Sequence, residues 1–360
     1  MKPVYVTKAF LPPQEEYTAF LDQIWQSRIL TNQGTLVQQL EKELGKRLDV
    51  PYFLYLCNGT VSLQLALHAL EITGGEVITT PFSYVATTSA VLWERCRPVF
   101  VDIEPEHYCI DPAKIEAAIT PETKAILATH VFGFACDTEA IAKIARQHHH
   151  LPVIYDGAHA FGCEYRGRPL LAYGDIAACS FHATKIFHTV EGGGCAVHDP
   201  VIFQKIDLAR RFGHRNDDHF QVGINAKNSE VHAAMGLCNL KYFEQNRQAR
   251  KKVSQWYDEM LPGSVVRPAP QKELTYNYGY YPVLFRSENH LKQAFAKLAE
   301  NQIFPRRYFY PSLNRLPYLQ EAAPCPGSED IAARIACLPL YGELEPETVS
   351  FICKQIGEEI

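Results

Sequence analysis

The chain has 360 residues, of which 47% are hydrophobic and 21% charged, so it has the composition of a globular protein with a sizeable core and the length of about two domains. A net charge of −5 argues against nucleic acid as a partner, because such binding needs a basic surface. No apolar run reaches the roughly 18 residues of a membrane-spanning helix, so we expect no membrane partner. Eleven cysteines are scattered along the chain, among them Cys57, Cys179 and Cys195 in apolar runs, and this pattern predicts buried free thiols. Together with an N-terminus that has no signal-peptide pattern, it predicts a cytoplasmic location.

Short β-rich runs alternate with helical patterns from about residue 53 onward. In chain order, the sequence predicts strands over residues 53–56, 76–80, 98–102, 125–130, 153–156, 177–181 and 195–198, and helices over 60–72, 84–93, 111–118 and 138–148. Continuous apolar strands that alternate with helices predict an α/β fold with a mostly parallel sheet covered on both faces. Ligands of such sheets bind at the carboxyl ends of the strands.

The pattern changes near residue 229. A long charged helix is predicted over 230–257, followed by a loop, a strand within 277–285 and an amphipathic helix over 289–301. These elements are typical of a smaller α+β domain. We therefore predict a large domain of residues 1–240 and a small C-terminal domain of residues 241–360.

The segment CNGT (57–60) stands where a predicted strand ends and a helix begins. Asn58 or Thr60 can cap the helix, and Gly59 allows close approach to its backbone. A helix N-terminus of this kind binds phosphate through its unpaired N–H groups. An ordinary capped helix explains the same four residues.

Asp156 ends an apolar strand in the segment YDGAHAFG (155–162), and His159 follows three residues later. A buried carboxylate is costly unless it has a partner, and a cationic ring nitrogen is one such partner. The alternative is an aspartate that caps the next turn.

SFHATK (180–185) also follows an apolar strand and precedes a run of three glycines. A partly desolvated Lys185 has a lowered pKa and can act as a Schiff-base amine, although a surface lysine is the simpler interpretation of an isolated residue. PFSYVAT (81–87) places Phe82 and Tyr84 after another strand, where a ring can stack on a flat cofactor or pack in the core.

Together these segments predict a pyridoxal 5′-phosphate site. That cofactor needs a lysine amine, a carboxylate beside its pyridine nitrogen, a cup for its phosphate and an aromatic face. No segment is specific alone, but each of them follows a strand of the same predicted sheet.

These segments resemble the pyridoxal-phosphate-dependent nucleotide-sugar aminotransferases of the DegT/DnrJ/EryC1/StrS group. The resemblance covers nearly the whole chain and is carried by LTNQGTLVQQLEKEL, CNGT, TPFSYVAT, VFVDIEPE, HVFGFACD, YDGAHAFG, SFHATK with EGGG, GINAKNSEVHAAMG and RRYFYPSLNRLPY. It implies the type I (aspartate aminotransferase) fold, with a mostly parallel seven-stranded sheet in the large domain.

The resemblance also implies roles for individual residues. Lys185 forms the Schiff base and transfers the proton, so it is the catalytic residue. The implied cofactor-binding residues are Gly59, Thr60 and Ser180 at the phosphate, Tyr84 on the ring face, Asp156 at the ring nitrogen, His159 near the ring hydroxyl, Lys185 itself, and Asn225 reaching the phosphate in a neighbouring subunit. A site shared in this way implies a homodimer.

The residues implied at the nucleotide sugar are Lys227, Arg306, Arg307, Tyr308 and Tyr310. Arginine suits a pyrophosphate because its planar fork donates paired hydrogen bonds, although surface salt bridges explain either arginine equally well. Two positions depart from the family pattern: Asn314 stands where relatives often have His, and Lys227 where they often have Arg. Some relatives replace the lysine with His and act as dehydratases, so Lys185 favours transamination.

The activity that the resemblance implies is transfer of an amino group from L-glutamate to a dTDP-linked 4-keto-6-deoxy sugar, giving dTDP-4-amino-4,6-dideoxyglucose. The alternative is amination of C3 in the 3-keto isomer. Similar enzymes usually serve surface-polysaccharide or O-antigen (lipopolysaccharide) biosynthesis. A regulatory protein without turnover lacks support, since no helix-turn-helix pattern or basic stripe is present. We predict no metal, because the consecutive histidines His148–His150 do not converge on one ion.

Overall fold

A computed structural model describes residues 2–319 and 322–357. In these residues the α-helices are α1 (Gln14–Ser27), α2 (Thr35–Arg47), α3 (Gly59–Ala69), α4 (Val85–Trp93), α5 (Pro112–Ala118), α6 (Thr138–Gln147), α7 (Pro200–Ala209), α8 (Glu230–Met260), α9 (Glu288–Glu300), α10 (Pro326–Arg334) and α11 (Pro346–Gly357). The strands are β1 (Val4–Tyr5), β2 (Tyr52–Leu56), β3 (Glu76–Thr79), β4 (Arg97–Phe100), β5 (Thr123–Thr129), β6 (Val153–Asp156), β7 (Glu164–Tyr165), β8 (Arg168–Pro169), β9 (Ile176–Ser180), β10 (Gly193–Val197), β11 (His214–Arg215), β12 (Asp218–His219), β13 (Val265–Val266), β14 (Leu274–Thr275), β15 (Pro282–Phe285), β16 (Ile303–Phe304) and β17 (Ile335–Cys337). Single 3₁₀ turns lie at Val131–Gly133, Leu170–Ala172 and Leu313–Arg315.

A seven-stranded sheet in the order β2-β10-β9-β6-β5-β3-β4 forms the centre of the molecule. Its strands are parallel except β10, which runs antiparallel to both β2 and β9. The predicted α/β fold with a mostly parallel seven-stranded sheet is confirmed. Each of the seven predicted strands is present, with ends that differ from the prediction by a few residues.

Both faces of this sheet are buried. Phe53 and Tyr55 of β2 pack in one hydrophobic cluster, with α2, α5, α6 and the first half of α8. Leu54 and Leu56 point the other way and pack in a second cluster, with α3, α4 and α7. Alternate residues of a strand point to opposite faces, so a strand covered on both sides is apolar at most of its positions.

The C-terminal part has its own core. Strands β13, β15 and β17 form an antiparallel sheet, and α8, α9 and α11 pack their apolar faces against it around Val253, Tyr257, Val283 and Ile352. Helix α8 runs without interruption through residue 240 and contributes to this core and to that of the central sheet. A division of the chain at residue 240 stays a prediction.

The cysteines agree with the predicted chemistry. All eleven lie within the described residues and are unpaired, and ten of them, including Cys179 and Cys195, are buried. Cys57 is half-buried. In residues 2–319 and 322–357, no helix combines the length and the apolar character that a bilayer crossing requires.

Candidate active site

A cavity of about 350 Å³ opens where several strands of the central sheet end. Segments that follow β2, β3, β6 and β9 meet there, as expected for the carboxyl ends of neighbouring strands. Nine of the predicted site residues line it: Gly59, Thr60, Tyr84, Asp156, His159, Ser180, Lys185, Arg306 and Tyr308. The other four predicted residues, Asn225, Lys227, Arg307 and Tyr310, lie outside it.

The N-terminus of α3 forms one end of the cavity. The Asn58 side chain caps the helix by accepting a hydrogen bond from the Val61 N–H at 2.9 Å. Gly59 packs so closely on β9 that a Cβ atom there would lie 2.9 Å from Ser180 Cβ. Unpaired N–H groups and the hydroxyls of Thr60 and Ser180 therefore face the same space, which suits an anionic group.

Asp156 lies at the floor of the cavity and is 5% exposed. Its Oδ2 accepts a hydrogen bond from the Thr87 hydroxyl at 2.7 Å, and its Oδ1 accepts one from the Ala158 N–H at 3.1 Å. Burial raises the pKa of this carboxyl, while these two donors and the nearby Lys185 amine oppose the increase. A cationic ring nitrogen bound in the cavity would offset the cost of burying the carboxylate.

The Lys185 amine faces the same cavity from the turn after β9. Its Nζ donates a hydrogen bond to the Tyr280 hydroxyl at 3.1 Å. Burial lowers the pKa of this amine to about 8, the Asp156 carboxylate acts in the opposite direction, and Arg306 lowers it further. The amine is therefore partly neutral near neutral pH and available as a nucleophile or a base.

His159 and Tyr84 lie on the cavity wall with different degrees of exposure. His159 is buried, its Nδ1 accepts the Phe132 N–H at 3.2 Å, and its ring centroid lies 4.2 Å from that of Tyr280. Burial and the Lys185 charge hold the pKa of His159 well below its usual range, so the ring is neutral. Tyr84 is 57% exposed at the mouth and free to stack on a planar ligand, whereas Phe82 packs in the core.

The RRYFYP segment (306–311) divides between the cavity and its surroundings. Arg306 is exposed at the cavity and lies over the Tyr308 ring, with its Cζ 5.3 Å from the centroid. Arg307 instead donates to the Ala333 carbonyl at 2.7 Å and to Glu288 at 3.1 Å, and it stacks on Tyr310. The predicted roles of Arg307 and Tyr310 at a nucleotide sugar stay predictions.

Asn225 and Lys227 lie on a surface segment beside the cavity. Lys227 Nζ donates to Asn225 Oδ1 at 2.8 Å, and Asn225 is exposed. The backbone of this segment is bonded to the end of β2, since the Cys57 N–H donates to the Ala226 carbonyl at 2.9 Å and Leu56 pairs with Lys227. Neither side chain lines the cavity, and their predicted roles at the cofactor phosphate and the substrate stay predictions.

Asn314, where relatives often have His, is buried away from the cavity. Its Oδ1 accepts the Ser312 hydroxyl at 2.7 Å, and its Nδ2 donates to Glu329 at 2.8 Å and to the Ala323 carbonyl at 3.1 Å. All of these contacts are within the C-terminal part, so the position holds loops together.

Sequence reasoning missed two contacts in the site. Tyr280 bonds the Lys185 amine, and Thr87 bonds the Asp156 carboxylate. The spacing of Ser83 and Thr87, four residues apart at the start of a helix, was the available signal for the second contact. The first had no local signal, because Tyr280 is almost a hundred positions away from Lys185.

The residues present fit pyridoxal 5′-phosphate. The amine of Lys185 and the buried carboxylate of Asp156 face one cavity, whose volume suits a small planar cofactor. The absence of a side chain at Gly59 lets the α3 N-terminus pack directly on the end of β9, next to Ser180, so its free N–H groups border the cavity. Lys185 would hold the amine-reactive carbon of the cofactor, and Asp156 would hold its ring nitrogen. The α3 N-terminus would hold the phosphate, and Tyr84 would lie on the ring face.

Comparison with known proteins agrees with this geometry. A transaminase of Shigella dysenteriae described as dTDP-4-amino-4,6-dideoxy-D-glucose transaminase is 41% identical over 99% of this chain and 99% of its own length. An Escherichia coli protein of the same description is 38% identical over 98% of each chain. The crystal structure of DesI in the presence of its TDP-sugar product superposes with a TM-score of 0.94 at 31% identity, covering 99% of this chain and 93% of that one. The sequence pattern of the DegT/DnrJ/EryC1/StrS aminotransferase family matches residues 13–357, and the chain therefore belongs to this family of pyridoxal-phosphate-dependent enzymes.

Proposed function

We propose that this protein transfers an amino group from L-glutamate to C4 of a dTDP-linked 4-keto-6-deoxy sugar and forms dTDP-4-amino-4,6-dideoxyglucose. The observation that carries the proposal is the convergence of the Lys185 amine and the buried Asp156 carboxylate on one cavity beside a helix N-terminus. The Shigella and Escherichia coli relatives are dTDP-4-amino-4,6-dideoxy-D-glucose transaminases by description, which supports dTDP as the nucleotide and C4 as the position.

Lys185 is the catalytic residue in this proposal. When bound, pyridoxal 5′-phosphate supplies the carbonyl that carries the amino group and the ring that delocalises the electron pair left by a departing proton. The Lys185 amine, with its pKa lowered to about 8, removes the proton from the carbon bearing the amino group of the donor and later delivers a proton to C4 of the sugar. Tyr280 holds this amine at the cavity wall through its hydroxyl.

The other cavity residues orient and enclose the reacting groups. Asp156 would pair with the ring nitrogen of the bound cofactor and keep it protonated, and Gly59, Thr60 and Ser180 would bind its phosphate. Tyr84 would cover one ring face, and His159, whose pKa is held well below its usual range, would serve the ring hydroxyl as a neutral partner. These roles are supported by the positions of the side chains around the cavity.

The nucleotide sugar enters, in this proposal, past the exposed Arg306 and the half-buried Tyr308. Arg306 offers a cation to the pyrophosphate, and Tyr308 supplies an aromatic wall. Arg307 and Tyr310 stack on each other outside the cavity, and their contact with the nucleotide sugar is part of the same proposal.

We also propose a homodimer with shared sites. Asn225 and Lys227 lie outside the cavity of their own subunit and would reach the cofactor phosphate and the substrate in the partner's cavity. The segment that precedes them exposes a run of apolar side chains, Phe212, Phe220, Val222 and Ile224, of which Val222 is 80% exposed. Burial of such a run is expected at a subunit interface.

The setting that we propose is the cytoplasm of a cell that makes an O-antigen or another surface polysaccharide. Buried, unpaired cysteines support a reducing compartment. A C3 aminotransferase remains the alternative reaction, and a regulatory protein without turnover is disfavoured by the intact lysine and carboxylate.

Incubation of the enzyme with pyridoxal 5′-phosphate, L-glutamate and either the 4-keto or the 3-keto dTDP-6-deoxy sugar tests the proposal. We expect 2-oxoglutarate and an amino sugar whose new C–N bond is located at C4 by NMR. Lys185→Ala should abolish both products, and turnover in that variant would overturn the assignment. Amination at C3 alone would show that the protein is a C3 aminotransferase. Absence of amine exchange with glutamate would favour a regulatory protein without turnover.

A further inference from the structure

Three hydroxyl groups form a buried chain that ends on Asp156. Thr129 at the end of β5 lies 3.0 Å from the Ser83 hydroxyl, and Ser83 lies 2.7 Å from the Thr87 hydroxyl in the first turn of α4. Thr87 donates to Asp156 Oδ2 at 2.7 Å. All four side chains are at least nine-tenths buried. We refer to Thr129, Ser83 and Thr87 as the hydroxyl chain.

The direction of these hydrogen bonds follows from the number of protons. Each hydroxyl has one proton, and an ionised carboxylate has none. Thr87 uses its proton on Asp156, so Ser83 must donate to Thr87, and Thr129 must donate to Ser83. The three dipoles therefore point toward the carboxylate, and hydrogen bonds in such a series polarise one another.

A protonated Asp156 would reverse the series. Thr87 would then donate to Ser83, Ser83 to Thr129, and Thr129 would need an acceptor. Within residues 2–319 and 322–357, the Thr129 hydroxyl bonds Ser83, and a reversed proton on Thr129 would face only the open cavity that Thr129 lines instead of a protein acceptor. The hydroxyl chain therefore favours the ionised carboxylate, in the same sense as the Lys185 charge and the Ala158 N–H and against the effect of burial.

The geometry also fixes the orientation of the carboxylate. A threonine inside a helix commonly bonds the carbonyl four residues earlier, but Thr87 bonds the Ser83 side chain and Asp156 instead. One carboxylate oxygen is held by the helix and the other by the Ala158 N–H. Rotation of the carboxylate would break both contacts.

We propose that Thr87, Ser83 and Thr129 are positioning residues that hold Asp156 as an oriented carboxylate for a cationic ring nitrogen. This inference rests on the proposed role of Asp156 at the cofactor. Thr87 contributes most, because it touches the carboxylate, and Ser83 and Thr129 act through it.

The test compares two cofactors in the purified full-length protein without any sugar. Dissociation constants are measured by fluorescence titration for pyridoxal 5′-phosphate and for its 1-deaza analogue, in which a C–H group replaces the ring nitrogen. We expect Thr87→Val to weaken binding of the natural cofactor by about 10- to 100-fold, since it removes a hydrogen bond to a charged group. Binding of the deaza analogue should change by less than about threefold, because it has no nitrogen for the carboxylate to pair with.

Three variants make this comparison specific. Thr87→Ser keeps the hydroxyl and should restore most of the affinity, and Ser83→Ala should give a smaller loss than Thr87→Val. Thr88→Val is the matched control, because Thr88 is buried in the same helix and its hydroxyl has no partner among the described residues. It should leave both affinities unchanged.

An equal loss for both cofactors, or a loss in Thr88→Val as large as that in Thr87→Val, would overturn the proposal in favour of a packing role. Failure of Thr87→Ser to recover affinity would overturn it as well. These outcomes are independent of the sugar reaction, so a protein that shows the expected affinities but transfers no amine would refute the proposed function and leave the hydroxyl chain in place.

Discussion

Replacing Lys185 with methionine should stabilise the cofactor-free protein, although it removes the catalytic amine. The side chain is half-buried at the cavity, and burial lowers its pKa from the ordinary 10.5 to about 8. At about pH 7 the folded state must hold a charged amine in a poorly solvated place, which costs at most about 3 kcal/mol at 1.36 kcal/mol for each pKa unit. Water in the open cavity reduces this cost, so we expect a gain of about 2 kcal/mol for Lys185→Met.

The pH dependence identifies the cause. Because the folded-state pKa lies below the unfolded-state value, the unfolded chain binds more protons between them, and the wild type becomes more stable as pH rises through this window. The gain in unfolding free energy of Lys185→Met over the wild type should therefore be complete below about pH 8 and fall to less than half by about pH 9.5. Urea unfolding followed by circular dichroism at both pH values measures it, with the exposed Lys143→Met in α6 as control. No gain at about pH 7, or a gain that persists at high pH, would refute the explanation.

Three other substitutions test separate parts of the structure. Gly59→Ala should weaken pyridoxal 5′-phosphate binding by at least about tenfold in a titration, because the new methyl lies 2.9 Å from Ser180 Cβ and 3.2 Å from the Cys179 carbonyl oxygen; unchanged affinity would contradict the close packing. Arg210→Met should lower the free energy of unfolding in urea by about 3–5 kcal/mol, since it leaves Glu41 without its cation and Asp207 with only the half-buried Arg211, and a loss below about 1 kcal/mol would contradict this. Arg306→Ala should raise KM for the nucleotide sugar about tenfold and leave the half-reaction with glutamate unchanged, as measured by stopped-flow absorbance; equal effects on both would place Arg306 elsewhere in the mechanism.

The sheet and the cavity-facing residues could be predicted from the sequence because both depend on local patterns. Strands buried on both faces are mostly apolar, as in β2 and β6, and the residues at or just after the end of such a strand enter the crevice with little freedom. Asn58, Gly59 and Asp156 are all of this kind. The antiparallel direction of β10 could not be predicted, because a short apolar run has the same hydrophobic pattern whether the strand is parallel or antiparallel to its neighbours.

The contacts between distant segments could not be predicted. Ser83 and Thr129 are ordinary polar residues in the sequence, and each could have bonded its own backbone. Their meeting depends on how α4 packs against the ends of β5 and β6. The same limit applies to Arg307, which adjoins Arg306 in the sequence but turns to the carbonyls of α10 because neighbouring side chains in an extended segment point in opposite directions.

In the proposed dimer, the hydrogen bond between the Cys57 N–H and the Ala226 carbonyl would couple the two active sites. It joins the strand that leads into a subunit's own proposed phosphate site to the segment whose side chains would serve the opposite subunit. A shift of the cup on ligand binding would displace that segment and alter the neighbouring site. Unequal affinities at the two sites, visible as a biphasic binding isotherm, are the expected sign of this communication.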